Sequence, residues 1–185
     1  MRGGNVSTNS DPDPSDLMAM TLAILQAAKA VQASLSGPTE TRHGLTLSEV
    51  DVLANLSVAA EGALRMSQIS DALVTNRPAV TRLVDGLEAK GLVERRALPG
   101  DRRAVKAAIT DAGRERFTEV CPFLEEELRH ELGDVLGDEE IAALRSTLAR
   151  ILGRLGEDPG RYAHPRKPVL GTASGSNRKA KAIRH

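Results

Sequence analysis

Residues 91–113, GLVERRALPGDRRAVKAAITDAG, decide how this chain is read. Two short apolar segments, Leu92-Val93 and residues 104–109, flank a loop containing Pro99-Gly100-Asp101. Pro and Gly between two extended runs predict a β-hairpin with a connection longer than two residues. Arg95, Arg96, Arg102 and Arg103 crowd both sides of that loop. Guanidinium groups on a hairpin tip suit a phosphate backbone or the electronegative minor groove of DNA.

On the N-terminal side of the hairpin the spacing predicts a helix over about 77–90. Asn76 can serve as its N-cap, Pro78 falls in the first turn where a missing N–H costs nothing, and Gly91 supplies a left-handed end. Val80, Leu83, Val84 and Leu87 share one face. The other face presents Pro78, Arg82, Asp85 and Ala89, with Arg77 and Thr81 flanking it. An arginine there can bond guanine O6 and N7, and a threonine can meet a phosphate or a thymine methyl. Taken alone, the same pattern describes an ordinary amphipathic surface helix. A shorter helix over about 67–73 comes before it, joined by the turn Val74-Thr75-Asn76. Helix, turn, helix and arginine-tipped hairpin make a winged helix-turn-helix.

Further helices surround this unit. The first is expected over about 16–36, stopped by Gly37-Pro38. Leu17, Thr21, Ile24, Ala28, Val31 and Leu35 form one stripe of it, and Met18, Leu22 and Leu25 a second. The next opens at Thr46-Leu47-Ser48-Glu49, a capping box. After the hairpin, Thr110-Asp111 opens a long helix carrying Phe117, Val120, Leu124, Leu128 and Leu132, which Pro122 should kink or interrupt. A last helix is expected over about 138–155. The apolar stripes at 17–35, 117–135 and 141–155 exceed what so small a domain can cover, so mutual burial in a symmetric dimer is expected. One compact monomeric bundle is the alternative.

The expected fold is therefore mainly α with a small β-hairpin: a winged helix-turn-helix at about 46–110, with N- and C-terminal dimerisation helices at about 16–36 and 111–155. Residues 1–15 read as a disordered tail, 16–155 as a single domain, and 156–185 as a basic, disordered tail.

The 185 residues carry no formal net charge, so only local distribution can argue for nucleic acid. Between Arg77 and Lys106 cations outnumber anions, whereas acid gathers at Glu125-Glu126-Glu127 and Asp138-Glu139-Glu140. That segregation fits one nucleic-acid face. Cys121 is the only cysteine, which rules out an intrachain disulfide and suits a reducing compartment. No apolar run is expected to approach the roughly 18 residues of a membrane span, and no signal-peptide pattern opens the chain. A cytoplasmic location without membrane contact follows as the expectation. His43, His130, His164 and His185 are isolated, so no metal site, cofactor or catalytic residue is expected, and an enzyme is not the reading.

Three stretches together resemble the MarR family of bacterial regulators: GLTLSEVDVL at 44–53, RMSQISDALVTNRPAVTRLVDGLEAKGLVERR at 65–96, and DRRAVKAAITDAG at 101–113. The last carries the family's wing signature in Asp101, Arg103, Ile109-Thr110 and Gly113. The resemblance implies a homodimer, a repressor, that binds a pseudopalindromic operator in double-stranded DNA. By the same resemblance Arg103 would reach the minor groove, supported by Asp101. Arg77, Pro78, Thr81 and Arg82 would face the major groove, and Arg95, Arg96 and Arg102 would take phosphates. Arg65 stands where a Ser or Thr commonly caps the short helix, so Ser67 is expected to cap it instead. Leu98 replaces a commoner Asp before the wing proline, and Pro122 interrupts a helix that is often continuous.

The family resemblance also implies a small-molecule effector bound between the DNA-binding lobe and the dimer helices. Arg42 and His43 are candidate polar groups for such a site, whose ligand the sequence leaves unknown. Cys121 reads as a small buried hydrophobe, with a redox-responsive regulator as the alternative. A winged helix used as an architectural or protein-interaction module, without operator specificity, is the other competing reading.

Overall fold

The computed structural model describes residues 12–73, 76–98 and 101–156, with the side chains of 98 and 101–104 outside the description. Of the expected tails at 1–15 and 156–185, residues 1–11 and 157–185 lie outside the described residues, as do Val74, Thr75, Pro99 and Gly100, whereas Asp13 caps the first helix and Pro14 and Ser15 open it. In chain order come α1 (Pro14–His43), α2 (Leu47–Val58), a 3-10 turn (Ala60–Gly62), β1 (Ala63–Arg65), α3 (Met66–Ala72), α4 (Arg77–Ala89), β2 (Val93–Leu98), β3 (Asp101–Ile109), α5 (Asp111–Leu132) and α6 (Asp138–Arg154). The chain divides into two compact units, Met1–Gly137 and Asp138–His185. In the second unit, α6 buries no residue and leaves Ile141 and Leu144 exposed.

The first unit has one core. Val52, Leu53 and Leu56 of α2, Ile69 of α3, Val80, Val84 and Leu87 of α4, Val93 and Ala107 of the sheet, and Val120 of α5 are all buried in it. Each large aliphatic side chain so buried contributes about 1.5–3 kcal/mol. α4 and the root of the hairpin therefore rest on shared side chains, and neither can shift alone without opening a void.

Several local expectations are corrected. Gly37-Pro38 does not end the first helix, which runs on to His43. Pro38 is exposed and its fixed φ fits a helix, so continuation loses one backbone bond. The added turn buries Thr39, whose hydroxyl donates to the Leu35 carbonyl at 2.6 Å. Gly44 then closes the helix at φ 65°, its N–H donating to the Glu40 carbonyl at 2.9 Å. Pro122 likewise sits inside α5 without interrupting it. Ser67 lies inside α3 and does not cap it; Arg65 is the N-cap residue, and its N–H donates to Gln68 Oε1 at 2.8 Å. The long chain of α1 also passes, by length and composition, for a membrane-crossing helix, contrary to the expectation that no stretch would.

The hairpin belongs to a three-stranded antiparallel sheet in the order β1-β3-β2. The first strand was not expected, because Ala63-Leu64-Arg65 is too short to show alternation. It pairs Ala63 with Ala108 and Arg65 with Lys106, making β3 the central strand. Regular pairing of β2 with β3 runs from Val93–Ile109 to Ala97–Val105, then shifts register to Leu98–Asp101. The strands end two residues apart, at Leu98 and Asp101, so the connection is shorter than expected and the irregularity falls in the register shift instead.

Candidate nucleic-acid interface

The period of α4 separates its two faces cleanly. Val80, Val84 and Leu87 are fully buried, whereas Arg77, Pro78, Thr81, Arg82, Asp85 and Ala89 are exposed. Asn76 Oδ1 accepts from the Ala79 N–H at 3.0 Å, and Pro78 falls in the first turn, as expected. The Thr81 hydroxyl donates to the Arg77 carbonyl at 3.0 Å. While that bond stands the Thr81 hydroxyl has no proton to donate elsewhere, and its methyl group is the part left to make contacts.

The C-terminus of α4 is tied to the root of the hairpin. Gly91 adopts φ 72°, the Gly91 N–H donates to the Glu88 carbonyl at 2.9 Å, and the Leu92 N–H donates to Leu87 at 2.9 Å. These are the two bonds of a Schellman ending. Thr110 fastens the other end of the hairpin to the same place. Its N–H donates to the Leu92 carbonyl at 3.1 Å, and its hydroxyl donates to the Gly91 carbonyl at 2.8 Å. The hydroxyl oxygen also accepts from the Gly113 N–H at 3.0 Å, capping α5.

The two adjacent arginines of β2 part company, because successive side chains point to opposite faces of a strand. Arg95 turns toward α4. One guanidinium nitrogen donates to Asp85 Oδ1 at 2.6 Å, the other to Glu88 Oε2, and the Arg95 N–H donates to Glu88 Oε1 at 3.3 Å. Burial opposes its charge, but the hydrogen bonds it donates to Asp85 and Glu88 outweigh that and hold its proton more tightly than usual. Arg96 instead pairs with Glu94 on its own strand, Nε to Oε1 at 2.6 Å, and both stay about half exposed. Asp101, Arg102 and Arg103 have their backbone in β3, while their side chains lie outside the described residues.

A second tie was not visible in the sequence. Lys90 Nζ lies 2.7 Å from both carboxylate oxygens of Glu49 and donates to the Gly44 carbonyl at 2.8 Å. Glu49 is buried and also completes the capping box of α2, accepting from the Thr46 N–H at 2.9 Å. The end of α4 is thereby joined to the start of α2 and the end of α1. The capping box announced Glu49, but nothing local pointed to a partner 41 residues away.

A cleft of about 540 Å³ lies beside this tie, lined by residues that include Gln32, Ser48, Glu49, Leu73 and Arg82. Arg42 and His43 do not line it. Both instead approach Phe123 of α5: the Arg42 guanidinium carbon is 5.2 Å from the ring centre, and the His43 ring is 4.9 Å away. His43 Nε2 is buried without a hydrogen-bond partner. Cys121 is half-buried, and burial followed by the charge of Glu125 pushes its thiol above the usual value.

The family model described as MarR family matches residues 43–104. The transcriptional regulator PecS of Dickeya dadantii is 35% identical over 115 residues, 60% of this chain and 67% of PecS. The transcriptional regulator MhqR of Bacillus subtilis is 34% identical over 110 residues, 60% of this chain and 74% of MhqR. Among solved structures, Sco3205, a MarR family transcriptional regulator of Streptomyces coelicolor in complex with DNA, is similar in fold. Its TM-score is 0.66 at 23% identity, covering 79% of this chain and 92% of that one. On the helix-turn-helix, its tied hairpin and these relatives, the chain belongs to the MarR family.

Proposed function

We propose that the chain is a sequence-specific DNA-binding transcriptional regulator, a homodimeric repressor of the bacterial cytoplasm that releases its operator when a small molecule binds. The observation that carries this reading is the joint presentation of α4 and the hairpin. Arg77, Pro78, Thr81 and Arg82 are exposed along a helix whose opposite face is locked into the core, and the arginine-bearing strands leave directly from its end. That is the geometry of a recognition helix in the major groove beside a wing on the backbone and minor groove. PecS and MhqR carry the name of transcriptional regulators, and Sco3205 holds DNA in the same fold.

In this assignment Arg77 and Arg82 read base edges, and Thr81 touches a thymine methyl. Arg96 and Arg102 take phosphates, and Arg103 enters the minor groove beside Asp101. The dimer is supported by α1, where Met18, Leu22 and Leu25 are each more than half exposed. A twofold axis would set the two recognition helices about 34–36 Å apart, one turn of DNA.

We place the effector in the cleft beside Glu49, where Arg82 is part of the lining. A ligand there would contact a base-reading residue directly, and could release DNA only if it bound the released state better. The deciding experiment is recovery of genomic fragments bound by the protein, followed by a salt titration on one recovered site and on mixed-sequence duplex. A salt-resistant preference for one inverted repeat is expected; equal affinity for both duplexes overturns operator specificity and leaves an architectural module.

A further inference from the structure

Arg95 stands apart from its neighbour Arg96. It is the least exposed of the arginines with described side chains on β2, at 27%, and three of its donors reach α4. Asp85 and Glu88 are three residues apart and so lie on one side of α4, which lets a single planar guanidinium span both. The Arg95 backbone N–H joins the same Glu88 carboxylate, so strand and side chain are held together. Just beyond, between Ala97 and Leu98, the regular ladder breaks. A hairpin without regular pairing at its tip takes its direction from its root.

We propose that Arg95 is a positioning residue that braces the wing against the recognition helix, and that it does not act as a phosphate ligand. By tying β2 to Asp85 and Glu88 it sets the angle at which the wing leaves α4, so that helix and wing meet the duplex as one rigid body. Preorganisation of this kind lowers the ordering cost of binding without adding a contact to DNA. Arg96, facing the other way on the same strand, pairs with Glu94 and makes no link to α4. The proposal rests on the DNA-binding reading above.

The experiment compares the full chain with Arg95→Gln, with Asp85→Ala/Glu88→Ala, and with the triple variant. The double variant breaks the brace from the helix side at two exposed positions, so a folding defect of Arg95→Gln does not decide the outcome. Amide hydrogen exchange is read first without DNA. All three variants should exchange faster over 93–98 by roughly threefold or more, with the triple no faster than the others, since one linkage is lost each time.

Affinity for a mixed-sequence duplex is then read across a potassium chloride series. Arg95→Gln and the triple variant should bind roughly threefold to tenfold more weakly, with the slope of log affinity against log salt unchanged. A slope reduced by about 0.9 in both would make Arg95 a phosphate ligand and overturn the brace. Affinity restored to the parent's in the triple variant would reduce Arg95 to a neutraliser of two carboxylates, which also overturns it. Absence of DNA binding by the parent chain would sink the functional reading, whereas unchanged exchange over 93–98 would sink the brace alone.

Discussion

Gly113, in the first turn of α5, packs against the backbone of Leu92 at the root of the wing. A Cβ on Gly113 would overlap the Leu92 carbonyl oxygen and lie 2.8 Å from Ile109 Cγ1. That carbonyl already accepts from the Thr110 N–H, so it cannot move aside cheaply. The glycine of the wing signature is required by this contact, since its φ is not among the positive ones. Gly113→Ala should therefore cost about 1–3 kcal/mol, as overpacking does, and loosen the hairpin root. Urea denaturation reads the stability; a variant as stable as the parent would show that α5 can slide away from Leu92.

Glu49 closes the capping box of α2 and meets Lys90 in a largely buried position. Glu49→Ala removes both and should destabilise the fold by about 1–3 kcal/mol. Glu49→Gln keeps an oxygen able to accept from Thr46 or Lys90 and should cost less. Equal midpoints in urea for the parent and the alanine variant would show that the tie contributes nothing to stability.

Arg82 and Arg102 are expected to act on different parts of the duplex. Arg82→Ala should weaken operator binding by about 1–3 kcal/mol and relax preference at one position, while Arg102→Ala should weaken all sequences alike and flatten the salt slope by about one. Anisotropy titrations on operator and mixed-sequence duplex separate the two. Parent-like titration curves for both variants would refute the groove assignment.

The apolar residues left exposed on α1 call for a covering partner. Leu22→Glu/Leu25→Glu, at positions 53% and 55% exposed, should leave the fold intact and convert a dimer into a monomer. Light scattering gives the masses. A parent chain that is already monomeric, or that sediments with lipid vesicles, would assign this face to something other than a second copy.

Cys121 should be a slow thiol. Burial and Glu125 both favour its protonated form, so the thiolate appears only above its usual value of 9.0. Alkylation by iodoacetamide should rise with pH along a curve whose midpoint exceeds that of a free cysteine. For stability the sign follows: the raised folded value gives a contribution that is complete below the unfolded pKa and is lost as pH climbs through the folded one. A midpoint below 9.0 would instead mark an activated thiol and revive the redox alternative.

Much of this architecture was legible locally because it depends on local chemistry. The capping box at Thr46–Glu49, the Asn76 cap, Pro78 in a first turn and Gly91 at a helix end each involve residues within one turn of each other, and all are found. The buried and exposed faces of α4 follow from its period alone. Gly37-Pro38 misled for the opposite reason. A stop signal is a local preference, and the burial of Leu35 and Thr39 outweighed it. Three residues of β1 were too few to show a pattern, and only pairing with β3 makes them a strand.

The sequence by itself determined the class of the protein: a helix-turn-helix with an arginine-bearing wing, whose period and turn chemistry are written residue by residue. Tertiary structure alone decided which partners Arg95, Arg96 and the buried Glu49 meet. Arg95 and Arg96 are neighbours of one chemistry, yet the pleat sends one to Asp85 and Glu88 and the other to Glu94. Lys90 finds Glu49 and Gly44 only because α4, α2 and α1 converge at one point. Partners distant in sequence depend on how helices and strands pack, which no window of the sequence contains.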